Sequence, residues 1–315
     1  MKCVFMGTPD FSVAALEAIY NAGYEISACV TQPDKAKGRS KELQFSPVKE
    51  KALELGIKVL QPERARDESF IEELRAIKPD VIVVIAFGQI LPEEIINMPD
   101  FGCINVHASL LPKYRGAAPI QYAVIDGLEY SGVTTMRMDV GLDTGDIIEV
   151  SKVKLEKKET GGSLFDRLSK VGAELIVHTL KLLESGEARY TPQNDADSSY
   201  VKMIKKSMGE LDFTKTAAEL ERLIRGLNPW PSAYTHLNGK ILKIWDADVI
   251  IDKTLVSGDA MPGQIVEIAT DAFYIVTGDG LLKVNELQLE GKKRMDTASF
   301  LRGVKLDKGD ILGES

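Results

Sequence analysis

Asp80-Val81-Ile82-Val83-Val84-Ile85-Ala86-Phe87 carries no polar residue after its leading aspartate, and most of it is β-branched. A strand wet on one face alternates polar and apolar residues, whereas a strand covered on both faces does not. The run therefore reads as a central strand of a mainly parallel sheet with helices on both sides. The flanking sequence repeats the strand-then-helix unit. Upstream, residues 2–6 read as a first strand, 11–20 as a helix, 24–31 as a second strand and 46–55 as a helix with Pro47 in its first turn. A short strand at 58–60 and a helix at 68–77 follow. Residues 32–41, rich in turn residues and basic charge without a hydrophobic period, read as a loop. Downstream come a short helix at 92–96, a strand at 103–107 and helices at 119–125 and 163–184.

The texture changes after residue 185. Gly186 to Tyr200 is polar and turn-rich, and beyond it short strand candidates at 233–237, 241–245, 264–268, 273–277 and 281–289 are joined by turns such as Asn238-Gly239. The expected fold class is α/β: a doubly wound, mainly parallel, Rossmann-like sheet followed by a small C-terminal β-barrel of the oligonucleotide-binding (OB) type. A chain of 315 residues exceeds the roughly 250 to 300 that one core supports, so two domains are expected. Their expected bounds are 1–189 and 207–315, with a linker at 190–206.

Composition excludes several classes. Apolar residues are 44% and charged residues 27% of the chain, and no apolar run approaches the roughly 18 to 20 residues of a membrane helix. The apolar stretch at the N-terminus is too short for a signal-peptide core, so a cytoplasmic protein is expected. Cys3, Cys29 and Cys103 lie in or beside apolar runs, none at a metal-ligand spacing, and His107, His178 and His236 are far apart in sequence. No metal is expected. A net charge of −8 argues against coating nucleic acid by bulk electrostatics, so any such contact must be local. Gly7-Thr8-Pro9 lacks the glycine spacing that lets a backbone approach a pyrophosphate, so a nicotinamide dinucleotide is not expected.

The chemistry concentrates between residues 105 and 146. Asn105 and His107 share one face of their strand, because side chains alternate. At the carboxyl end of a buried strand, two such donors can converge on a developing oxyanion; equally, they can do no more than satisfy loop carbonyls. Val140-Gly141-Leu142-Asp143-Thr144-Gly145-Asp146 is a glycine-rich loop whose Asp143 can orient an imidazole or simply form a turn.

Three motifs in order go further: Asn105-Val106-His107, Ser109-Leu110-Leu111-Pro112 followed by Arg115-Gly116, and Gly141-Leu142-Asp143-Thr144-Gly145-Asp146. Together they resemble the formyltransferases that use 10-formyltetrahydrofolate. The extended stretch from His107 to Gln121, the opening Gly7-Thr8-Pro9-Asp10-Phe11 and the loop Thr31-Gln32-Pro33-Asp34 are similar to the branch of that family that acts on methionyl initiator tRNA.

The resemblance implies that Asn105, His107 and Asp143 are the catalytic trio and that Ser109, Leu110, Leu111 and Pro112 contact tetrahydrofolate. It also implies that Arg39 meets the acceptor end of the tRNA. Gln89, Ile90 and Leu91 are candidates to meet the pterin ring, or else the ordinary end of a central strand. Lys37, Lys41, Lys205 and Lys206 are further candidates for tRNA contact, against the alternative that each is a solvated surface charge. A monomer is expected. Competing readings are a formyltransferase acting on an amino sugar nucleotide or ribonucleotide amine, a hydrolase that releases formate from the same folate, and an RNA-binding module on a dead enzyme.

Overall fold

Val81–Ile85 is a strand with every residue buried, and among the described residues it stands fourth in a seven-stranded sheet. The structure is a computed structural model that describes residues 1–37, 42–252 and 260–313, with the side chains of 35–37 and 42 outside that description. The sheet order is Ile147–Lys154, Tyr130–Arg137, Cys103–His107, Val81–Ile85, Lys2–Gly7, Glu25–Val30 and Val59–Leu60. The last five pair in parallel. The first two are antiparallel, Tyr130–Arg137 to Cys103–His107 and Ile147–Lys154 to Tyr130–Arg137. The α/β class with a mainly parallel sheet is thus present, extended at one edge by antiparallel strands.

Those two antiparallel strands are absent from the sequence reading, and for Tyr130–Arg137 the reason is physical. Tyr130–Arg137 buries Ser131, Thr134 and Thr135, polar residues that mask the apolar run of an interior strand. The two threonine hydroxyls are satisfied by partners distant in sequence: Thr135 Oγ1 lies 2.9 Å from Thr179 Oγ1, and Thr134 Oγ1 donates to the Ser109 carbonyl at 2.7 Å. The loop expected at 32–41 also needs correction, since Lys35–Lys37 pairs antiparallel with Glu42–Gln44. The helix Pro47–Glu54 begins where Ser46 Oγ accepts from the Lys49 N–H at 3.2 Å, the cap that serine provides.

The chain divides into two compact units. The first comprises residues 1–119, 130–154 and 165–201, and the second 120–129, 155–164 and 202–315. Residues 190–201, expected within a linker, are counted with the first unit: Thr191 bridges to Ile147, and Tyr200–Val201 pairs in parallel with Arg115–Gly116. The first unit has a core that includes Val4, Val30, Leu74, Ile82 and Ile95. Its three cysteines are free and buried, and burial pushes the Cys3 and Cys103 thiols up to about 12. At that value they are inert packing groups.

The second unit is antiparallel. Its sheet runs Ala233–Leu237, Lys240–Ile250, Leu281–Leu289, Phe273–Val276, Ile265–Ile268, with Met295–Asp296 also paired to Leu281–Leu289. Asn238 and Gly239 both have positive φ, 50° and 72°, as a two-residue hairpin turn requires. The two outer strands are bridged by the end of the chain: the Leu312 N–H donates to the Gly263 carbonyl at 2.9 Å and the Gly313 N–H to the His236 carbonyl at 3.0 Å. The helix Ala217–Gly226, opened by a Thr216–Glu219 capping box, sends Leu220 and Ile224 into a core with Leu242, Phe273 and Leu282. Among the described residues no helix is long and apolar enough to cross a membrane.

Asp246 and Asp248 sit two apart on one strand, and both accept from Asn285 Nδ2 at 2.8 Å. Lys158 Nζ lies 2.6 Å from Asp248 Oδ1 and 3.4 Å from Asp246 Oδ1. The Lys158 hydrogen bond, then that of Asn285, holds the Asp248 carboxyl below its ordinary 3.8. A carboxyl lowered by folding adds stability above its ordinary value, and that contribution disappears as pH falls through the folded value. Lys158→Met should therefore lower the melting temperature at pH 7, with the gap to the parent closing toward about pH 3. Thermal melts at the two pH values check this.

Candidate active site

Cys103–His107 ends at the carboxyl edge of the sheet, where open α/β sheets offer their crevices. Asn105 and His107 point to the same face, and a single carboxylate meets both. Asp143 Oδ1 accepts from Asn105 Nδ2 at 3.4 Å. Asp143 Oδ2 lies 3.7 Å from His107 Nδ1, a charge contact longer than a hydrogen bond, and accepts from the Gly116 N–H at 2.8 Å. His107 Nε2 is 2.9 Å from the Tyr114 carbonyl oxygen, so that nitrogen carries the proton and donates. The His107 side chain is 8% exposed and that of Asp143 13%. Little water screens this pair.

The loop that carries Asp143 is shaped by its small residues. Asp143 itself has φ 56°, a left-handed conformation that aspartate adopts more readily than most residues. Asp139 Oδ1 accepts from the Gly141 N–H at 3.0 Å and from Thr144 Oγ1 at 2.6 Å. A Cβ at Gly145 would run into the Arg137 carbonyl, so glycine there lets the loop lie against the edge of its own strand.

Sequence reading missed two residues behind this loop. Arg115, quoted as part of a motif without a role, is 1% exposed. Its Nε and Nη2 donate to Gln193 Oε1 at 3.1 and 2.9 Å, and its Nη1 donates to Asp195 Oδ1 at 2.9 Å and Tyr200 Oη at 3.0 Å. Gln193 in turn donates from Nε2 to the carbonyls of Asp143 at 2.9 Å and Gly145 at 2.7 Å. A buried arginine beside a glycine-rich turn is a signal for a polar partner, but nothing local in Thr191-Pro192-Gln193 reveals that the partner is Gln193.

The segment expected to contact folate follows His107 directly. Ser109 Oγ donates to the Lys113 carbonyl at 2.7 Å, the Leu111 N–H donates to Thr134 Oγ1 at 3.2 Å, and Leu111 is buried, with Leu110 and Pro112 half-buried. Gln89, Ile90 and Leu91 follow the central strand and differ among themselves. The Gln89 amide serves residues 62–65, accepting from the Ala65 N–H at 2.7 Å and donating to the Pro62 carbonyl at 3.3 Å. Leu91 is part of the core. Ile90 is 90% exposed.

Of the residues expected to meet tRNA, Arg39 and Lys41 lie outside the described residues, as does the side chain of Lys37, whose backbone is in the strand Lys35–Lys37. Lys205 and Lys206 are exposed. Arg294, a basic residue that follows Lys292 and Lys293, is engaged by Glu286, its Nε donating to Oε1 at 2.6 Å, and stacks 4.6 Å from the Trp245 ring.

A formyl transferase family model matches residues 1–180, and the model of the formyl transferase C-terminal domain matches residues 203–305. The chain is 66% identical over 315 residues, all of both proteins, to the methionyl-tRNA formyltransferase of Lachnospira eligens. It is 49% identical to that of Clostridioides difficile, over 99% of this chain and all of the relative.

The chain belongs to the methionyl-tRNA formyltransferase family.

Solved structures of lower identity share the fold of this formyltransferase. The sugar 3N-formyl transferase WlaRD, crystallised with dTDP and 5-N-formyl-THF, superposes with a TM-score of 0.65 at 21% identity, over 93% of this chain and 99% of that one. HypX from Aquifex aeolicus in complex with tetrahydrofolic acid gives 0.63 at 16% identity, over all of this chain and 51% of that one.

If Gly145 lets the Asp143 loop lie close, Gly145→Ala should destabilise the formyltransferase by about 1 to 3 kcal/mol, the usual cost of overpacking. Turnover of the protein that remains folded should fall as well, because Asp143 is displaced. Denaturant melts and initial rates on one preparation measure both.

Proposed function

We propose that this formyltransferase moves the formyl group of 10-formyltetrahydrofolate onto the α-amino group of methionyl initiator tRNA, as a cytoplasmic monomer, with Asn105, His107 and Asp143 at the reacting atoms. The observation that carries the reading is the convergence of an amide and an imidazole on one half-buried carboxylate at the end of a buried strand. Full-length identity with named methionyl-tRNA formyltransferases supports the acceptor.

The folate co-substrate supplies a formyl carbon bound to nitrogen. When the neutral amine adds to that carbon, the carbonyl oxygen gains negative charge, and donors already in position stabilise it more than water would. Asn105 Nδ2, which has a second hydrogen beyond the one given to Asp143, is one of those donors; the other is His107 Nδ1 in the protonated ring, since Nε2 is spent on the Tyr114 carbonyl. Asp143 keeps both turned to one point and takes the proton that the attacking amine must lose, directly or through a water. As the tetrahedral carbon expels it, the leaving nitrogen of tetrahydrofolate takes up the proton that Asp143 received from the amine, directly or through the same water, and the carboxylate is regenerated. Ser109 to Pro112 hold the folate beside the trio. Ile90 gives a flat ring an apolar surface, and Leu91 backs it from the core. Gln89 has its amide already occupied, so its part is through the backbone.

The functional division proposed is a catalytic domain over 1–189, a connector over 190–206 and a tRNA-binding domain over 207–315. Arg39, Lys37 and Lys41 on one segment and Lys205 and Lys206 on another are the proposed phosphate and acceptor-stem contacts. Binding through phosphates releases counterions, so apparent affinity for the tRNA should fall steadily as salt rises; a flat response removes these lysines from the account.

Incubating the enzyme with 10-formyltetrahydrofolate and charged initiator tRNA should give formylmethionyl-tRNA, with elongator tRNA a poor acceptor. Asn105→Ala or His107→Ala should lower kcat by about a hundredfold or more, the usual loss on removing one oxyanion donor. Near-normal turnover of His107→Ala overturns the catalytic assignment, and formate released without acceptor favours hydrolysis instead.

A further inference from the structure

We propose that Gln193 is a positioning residue for the transfer, a single amide that fixes the Asp143 loop against the buried Arg115 guanidinium. The proposal rests on the catalytic role given to Asp143 above. Gln193 uses both ends of its amide. Its oxygen is locked by two donors of Arg115, Nε and Nη2, and that lock decides which way the amide faces. Nε2 is thereby turned toward the Asp143 loop, where it meets the Asp143 and Gly145 carbonyls at 2.9 and 2.7 Å. The two carbonyls flank Thr144 and belong to the turn that presents the Asp143 carboxylate. No carboxylate can replace this amide, because an acceptor in place of Nε2 would face two carbonyl oxygens.

Arg115 is itself prevented from turning. Asp195 and Tyr200 bind Nη1, the Tyr200 ring lies 5.6 Å from the guanidinium carbon, and the backbone of Arg115 is paired with Tyr200. The next residue, Gly116, gives its N–H to Asp143 Oδ2. Asp143 is thus held from two directions by one short segment: its carboxylate by the Gly116 amide, and its backbone by Gln193 from the side chain of Arg115. Loss of the second hold leaves the carboxylate tethered but free to swing away from Asn105 and His107, which lie at 3.4 and 3.7 Å. Displacements on that scale cost turnover rather than substrate affinity.

The test is Gln193→Glu. The variant keeps its attraction to Arg115, so the expected melting temperature is close to that of the parent, while both bonds to the loop are lost. Expected is a fall in kcat of about ten- to a hundredfold, with KM for the folate and for the charged tRNA within about twofold of the parent. Hydrogen exchange of the backbone amides of 141–146 should quicken, while that of Cys103–His107 stays slow. Gln193→Asn, which retains the amide but is one methylene too short to span Arg115 and the loop, should show the same split. Parental kcat in either folded variant overturns the proposal, as does unchanged exchange in the loop. Asp143→Asn in parallel separates the two readings: if it turns over normally the catalytic assignment fails, and if it is inactive while Gln193→Glu is parental only the positioning role fails. Should Gln193→Glu not fold, Gln193→Asn and its exchange pattern decide.

Discussion

Cys103–His107 is bonded along both edges, in parallel to Val81–Ile85 and antiparallel to Tyr130–Arg137, and the geometry of the site follows from that double constraint. An edge strand is free to twist or slip at its tip; this one is not, because His107 is in register with Thr134 up to its last residue. The same Thr134 hydroxyl donates to the Ser109 carbonyl and accepts from the Leu111 N–H. One buried hydroxyl therefore steers the chain out of the strand and into the segment proposed to hold folate. The antiparallel strand does more than extend the sheet, since a parallel neighbour would need a crossover at the very edge where the site opens.

The parts of the fold most legible in the sequence are those whose burial is mainly apolar. Cys103–His107 and Leu281–Leu289 have the bounds read from their hydrophobic patterns, and Val81–Ile85 lies inside the apolar run that continues to Phe87. The illegible parts are those in which polar side chains are buried with partners distant in sequence. Thr135 is satisfied by Thr179 and Thr134 by Ser109, pairs that no periodicity announces, so the strand they lie on reads as a mixed polar stretch. Residues 190–201 look like a connector for a related reason. Their turn-forming side chains are spent on Arg115 and on the loop carbonyls, and turn propensity does not distinguish a free loop from one fastened by long-range hydrogen bonds.

The candidate site divides in the same way. Asn105 and His107 are found by alternation, and their convergence is local geometry. That Asp143 is the carboxylate they meet follows from the resemblance alone, because Asp143 lies 36 positions beyond His107 in the chain. The structure brings the three to one point through the Gly116 amide and the left-handed turn at Asp143. Neither leaves a trace in composition.

Arg115 supplies the last step. A buried guanidinium is costly to desolvate and is kept only when its donors are satisfied. Here burial works against the charge, but the hydrogen bonds to Tyr200 and Asp195 outweigh it, and its pKa is raised. Asp195 is largely exposed, 83% at its side chain, so the guanidinium meets a carboxylate on its solvent side, while Gln193 Oε1 accepts from Nε and Nη2. A polar residue in so tight a place has few orientations that satisfy all its donors, and that scarcity gives rigidity that an apolar side chain of the same volume does not. The loop carrying Asp143 has almost no apolar packing of its own: Val140 and Leu142 are 72% and 60% exposed. Its order must therefore come from hydrogen bonds, and the buried charge one layer behind it gives those bonds a fixed frame.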